Sequence, residues 1–157
     1  MVEAHPRPVE PPVPFDTAQV GDAMSRGVIC CAPETPLRIV ARMMATFGVH
    51  AIFVFEHEEE VDEIAPLWAV VSDLDLVAAT QTDVDAVTAG MTAVTPLVTI
   101  PADRPLVEAA SLMAQYGIAH LAVTDPLSGS PIGVVSTLDL ARAVASGHGV
   151  RETFPSA

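Results

Sequence analysis

The feature that most constrains the fold of this chain is an internal repeat. Phe47-Gly48-Val49 is matched by Tyr116-Gly117-Ile118 at an offset of 69 (116 − 47). Ser72 and Asp75 are matched by Ser136 and Asp139 at an offset of 64 (136 − 72 and 139 − 75). The five-residue difference falls in the acidic stretch 56–63 of the first copy, where a surface loop absorbs an insertion at little cost. A chain that carries one pattern twice is built from two similar units.

Each copy reads as strand–helix–strand–strand–helix. Leu37, Val40, Met44 and Phe47 recur at helical spacing after Pro36, with Met43 alongside, and Gly48 stops the pattern. Leu106, Ala109, Met113 and Tyr116 do the same after Pro105, up to Gly117. Strands are expected at 28–32, 51–55 and 67–71, then at 97–100, 120–124 and 132–135. Further helices are expected at 17–24, 74–80, 84–91 and 138–146. The fold class is therefore α/β, with two pseudo-symmetric β-α-β-β-α repeats packed as one module about a twofold axis. The first repeat spans 16–81 and the second 82–147. Residues 1–15 form a proline-rich arm expected to be extended or disordered, with Phe15 as an anchor if it straps the core. Residues 148–157 read as a tail.

The chemistry concentrates where a strand turns into a helix. Ala69-Val70-Val71-Ser72-Asp73-Leu74-Asp75 and Gly133-Val134-Val135-Ser136-Thr137-Leu138-Asp139 each end an apolar run at a serine, with a carboxylate three residues on. Two readings fit such a turn. The serine caps the helix and the aspartate complements its dipole. Alternatively, hydroxyl and free amides face an anion while the carboxylate accepts hydrogen bonds from a diol.

The element order, the approach Val20-Gly21-Asp22-Ala23-Met24, the helix starts at Pro33-Glu34-Thr35-Pro36-Leu37 and, one residue longer, at Pro101 to Pro105-Leu106, and the doubled Ser-x-x-Asp turn resemble a tandem pair of cystathionine-β-synthase (CBS) domains over residues 17–146. The resemblance implies a regulatory module that binds an adenosine-containing ligand between its two repeats and signals ligand level to a protein partner. AMP, ADP, ATP and S-adenosylmethionine are the ligands it suggests. It implies ribose contacts from Asp139 and Asp75 and phosphate contacts near Ser136, Thr137 and Ser72. His120 and His50 lie near a basic position of the family and would approach phosphate; half-buried histidines bonded to backbone fit equally. Val49 and Ile118 would flank an adenine or serve as core. Gly133, against Ala69 beside bulky Trp68, is expected to open the second turn more than the first.

Composition narrows the partners. The chain has 157 residues, seven arginines, no lysine and a formal net charge of −13. A polyanion such as nucleic acid, or an anionic membrane surface, is bound through basic patches that this balance denies. The same charge favours a nucleoside or monophosphate over a triphosphate, and it also suits a ligand-free interaction scaffold. No signal core or membrane-length apolar run occurs, so a cytoplasmic protein is expected. Cys30 and Cys31 are adjacent and read as buried free thiols, with no metal site. No motif of a nucleophile, metalloprotease helix or phosphate loop is present, and no enzyme activity is expected. Arg142, three residues after Asp139, would pair with it or reach a phosphate. Leu74, Val77, Leu138, Ala141 and Val144, with Met43, Met44 and Met113, exceed what two small lobes bury, which points to a homodimer through helices with the 56–63 loop outside the contact.

Overall fold

The computed structural model describes residues 14–55, 67–95 and 97–146, without the side chains of 67 and 68. The arm up to residue 13, the acidic stretch 56–63, the tail and the Trp68 side chain lie outside the described residues.

Two lobes follow the repeat. The first is β2 (Cys30–Cys31), α2 (Leu37–Phe47), β3 (Ala51–Phe55), β4 (Leu67–Ser72) and α3 (Asp73–Ala79). The second is β5 (Thr99–Pro101), α5 (Leu106–Tyr116), β6 (His120–Thr124), β7 (Pro131–Ser136) and α6 (Thr137–Ala145). In each lobe the first strand runs parallel to the second, which needs the helical crossover, and the second pairs antiparallel with the third. The α/β repeat order expected from the sequence is the order observed.

The segments that open the repeats are exchanged between lobes. The short helix α1 (Val20–Ala23) and the strand β1 (Ser25–Arg26) belong to the second lobe, where β1 pairs antiparallel with β7. Phe15, Ala18 and Val20 pack into the second lobe's core with Ile100, Leu106 and Leu121. Reciprocally, Val84, Val87 and Ala89 join the first lobe's core, and Thr95 bridges Val70 of β4. A third cluster, Ala51, Phe53, Val70 and Ala122, lies between the sheets and joins the lobes.

Several local expectations are corrected. The helix expected at 84–91 is confined to α4 (Ala89–Thr92). Ahead of it, Asp83 turns the chain by accepting the Asp85 N–H, and Thr88 is drawn into a bridge with Pro36. The helix expected at 17–24 is likewise shortened, to Val20–Ala23, because Gln19 ahead of it is drawn into a bridge with Pro105. Cys31 is buried but Cys30 faces out, the alternation that a strand imposes on neighbours. Phe47 and Tyr116 occupy the last turn of their helices and are exposed, whereas Leu37, Val40, Met44, Leu106, Ala109 and Met113 are buried. Met44 and Met113 are therefore core residues and cannot contribute to a contact between protomers. Leu74, Val77, Leu138 and Val144 are exposed by 53–76%.

Candidate functional site

Both strand-to-helix turns are capping boxes. Ser72 Oγ accepts the Asp75 N–H at 3.2 Å while Asp75 Oδ2 accepts the Ser72 N–H at 2.9 Å. Ser136 Oγ accepts the Asp139 N–H at 3.3 Å, and Asp139 Oδ2 accepts the Ser136 N–H at 2.8 Å. The Ser136 hydroxyl also donates to Asp139 Oδ2 at 2.9 Å. The N–H groups of Asp73 and Thr137 donate to the carbonyls of His50 and Ala119. Capping thus occupies both serine hydroxyls and much of each first helical turn, and an anion there meets fewer open donors than the sequence suggests.

The helix ends opposite are also matched. Gly48 and Gly117 adopt the left-handed conformation, at φ 64° and 63°, and the N–H groups of Val49 and Ile118 close back on Met44 and Met113. This sharp exit delivers each following residue to the opposite repeat's turn. Two clefts result, each built from both repeats. The larger, about 540 Å³, brings Ser136, Asp139 and Arg142 of the second repeat to Val49 and His50 of the first. The smaller, about 190 Å³, brings Ser72 and Asp75 to Ile118. His120 lines both. Thr137 lies outside both linings.

The clefts differ in charge and in what their aspartates do. Asp75 Oδ2 also accepts the Thr95 hydroxyl at 2.7 Å, and Asp73 stands beside it with no arginine in the lining. Asp139, 12% exposed, has its Oδ1 3.6 Å from Arg142 Nη1, and Arg26 reaches the same cleft from β1. The pair with Arg142 expected from spacing is present, though long. Ser25, Arg26, Val28 and Ile29 complete the larger cleft. Nothing in their own spacing marks them; the usable signal was their position just after the Val20–Ala23 approach.

Gly133 has a different role from the one expected. It lines neither cleft, and a Cβ there would lie 2.5 Å from the Ser25 carbonyl oxygen and 2.9 Å from Met24 Sδ. The glycine lets β1 cross β7 closely and so sets β1 at the cleft wall. Each aspartate Oδ2 accepts two hydrogen bonds, so the two turns differ in cleft size and in the arginines that line the larger cleft.

The two histidines meet. The His50 and His120 rings stack with centroids 6.4 Å apart and planes 20° apart. His50 Nδ1 lies 2.8 Å from Asp73 Oδ2, so this histidine is bonded to a side chain and not to backbone. Burial lowers the pKa of His120, and His50 opposes its charge further; Asp73 and Asp139 act the other way.

Among the described residues no group of His, Cys, Asp and Glu is arranged to hold a metal, and no helix is long and apolar enough to cross a membrane. The fold is shared with many solved structures. A CBS domain protein from Pyrobaculum aerophilum, complexed with AMP, is 25% identical with a TM-score of 0.69, covering 81% of this chain and 95% of its own. The CBS domain pair of protein MJ0100, in complex with 5′-methylthioadenosine and S-adenosyl-L-methionine, is 17% identical with a TM-score of 0.68, covering 82% and 96%. CBSX2 in complex with AMP is 23% identical with a TM-score of 0.61, covering 82% and 96%. A search of curated proteins gave no match. The CBS domain model matches residues 20–81 and again 84–146. The chain belongs to the CBS domain family and carries the domain as a tandem pair.

Proposed function

We propose that this chain is a regulatory module that binds an adenosine-containing ligand in the larger cleft and passes its occupancy to a protein partner. The observation that carries the reading is the composition of that cleft. Val28, Ile29 and Val49 offer an apolar wall for a base, Asp139 an acceptor for ribose hydroxyls, and Arg26 and Arg142 charge for a phosphate. The Pyrobaculum aerophilum relative, solved with AMP, supports the same ligand class. Asp139 is the ribose residue in this reading. Asp75, Ser72 and Ile118 form a second, tighter subsite whose carboxylate is already engaged by Thr95.

Two arginines on a chain of net charge −13 suit one phosphate better than three. AMP is therefore expected to bind more tightly than ATP without added magnesium, as read by isothermal titration. Tighter ATP binding would contradict this. A thermal-shift panel of AMP, ADP, ATP, adenosine and S-adenosylmethionine tests the ligand class. A ligand at ~100 times its dissociation constant should add about 2.7 kcal/mol of stability. A panel with no shift would favour the interaction scaffold.

The module further pairs as a homodimer through α3 and α6, whose Leu74, Val77, Leu138 and Val144 form exposed apolar surface. Light scattering at micromolar concentration reads this, and a monomer mass would overturn it.

A further inference from the structure

The stacked imidazoles at the meeting point of the clefts have chemistry beyond simple contact. His50 and His120 both line the larger cleft, and their rings lie too close for both to carry charge without mutual repulsion. We propose that the His50–His120 pair takes up a proton when a phosphorylated ligand enters the larger cleft, so that affinity for the phosphate, and not for the nucleoside, rises as pH falls. The proposal rests on the adenosine reading of this cleft and adds its dependence on pH.

The charged groups around the pair set the sign. Asp73 at the start of α3 holds His50 Nδ1 at 2.8 Å, and Asp139 faces His120 from α6. Asp75 borders the smaller cleft that His120 shares, while Arg142 from α6 and Arg26 from β1 border the larger. Desolvation disfavours the charged form of His120, Asp73 partly offsets this, the neighbouring ring disfavours the charge again, and Asp139 offsets it in turn, leaving the pKa lowered. An incoming phosphate offsets that penalty and stabilises a proton on one ring of the pair. Binding then consumes a proton, and mass action makes binding tighter at lower pH. Adenosine brings no charge and leaves the pair as it was. The imidazole is the side chain suited to this range.

The test is titration of AMP and adenosine between pH 6 and 8 with the intact chain and with His120→Gln. The variant retains the titration of AMP's own phosphate, so the comparison isolates the pair. If binding raises the pair's apparent pKa by about one unit, the ratio of AMP affinities, intact over variant, should grow about fivefold from pH 8 to pH 6. Adenosine should show no such growth. A measurement on the intact chain alone guards against a misfolded variant. Imidazole proton NMR should show the His120 titration moving to higher pH with AMP and not with adenosine. Parallel AMP profiles in intact and variant protein, or NMR titrations unmoved by AMP, would overturn the proton uptake while leaving the ligand reading standing. Binding of neither probe at any pH would overturn the ligand reading and the inference with it.

Discussion

Replacing Met113 with aspartate is expected to unfold the second lobe, while replacing Val144 with aspartate leaves the fold intact and separates a dimer. Met113 lies on α5, 5% exposed, within the cluster that includes Val20, Ile100, Leu106 and Leu121. An aspartate there removes the packing of a large apolar side chain and buries a carboxylate that lacks a cation partner. Each change is costly, and together they exceed the ~4–5 kcal/mol that marks the extreme of single substitutions. Small domains have only about 5–15 kcal/mol in total. Val144 on α6 is 60% exposed, so the new charge stays solvated within one protomer. Circular dichroism melts together with light scattering would separate the two outcomes. A folded, monomeric Met113→Asp protein would show the assignment of Met113 to the core to be wrong.

Phe53→Ala is expected to cost about 3–5 kcal/mol, with a fall in melting temperature of roughly 10 °C. Phe53 is 1% exposed at the centre of β3, and it belongs to neither lobe's own core. It packs with Ala51, Val70 and Ala122 in the small cluster between the sheets, where Val28, Leu97 and Val134 close around it. Few side chains join the lobes there, so the cavity left by the ring has little around it to collapse. Calorimetry is expected to show the single transition broadening or splitting as the lobes lose their shared core. Phe53 also borders the larger cleft, so AMP affinity should fall with it. A loss of less than 1 kcal/mol would mean that the lobes are joined elsewhere.

Much of this architecture is legible in the sequence, for identifiable reasons. Leu106, Ala109 and Met113 recur at the helical period between Pro105 and Gly117, and α5 has the ends those residues dictate. β3 is an unbroken apolar run and β6 an apolar centre, Leu121 to Val123, between His120 and Thr124; each follows closely on a left-handed glycine. The Ser-x-x-Asp turns were visible as well, and with them Asp139, Asp75 and both serines. What the spacing could not convey is connectivity across the repeats. β1 is two residues long, with no period of its own, and exists because β7 offers an edge at Gly133 that a side chain would block. Its Arg26 therefore carries no local mark in the sequence. The stacking of His50 on His120 depends on a contact between residues seventy apart in the chain (120 − 50), which no local pattern encodes. Thr95, which engages Asp75, is hidden for the same reason.

The central claim, an adenosine ligand seated on Asp139 in the larger cleft, is tested most directly by calorimetric titration of AMP into the intact chain, Asp139→Ala and Asp75→Ala. Both aspartates close a capping box of the same form, so the two variants carry a similar cost in helix stability, and each is the other's control. They differ in the cleft they face and in its charge, since Arg26 and Arg142 line the cleft of Asp139 and no arginine lines that of Asp75. The intact chain should bind AMP saturably. Asp139→Ala should lose about 1.5–3 kcal/mol of affinity, the worth of a hydrogen bond to a charged group, and Asp75→Ala should lose less. Equal losses in the two variants, or no saturable binding of AMP by the intact chain, would contradict the account.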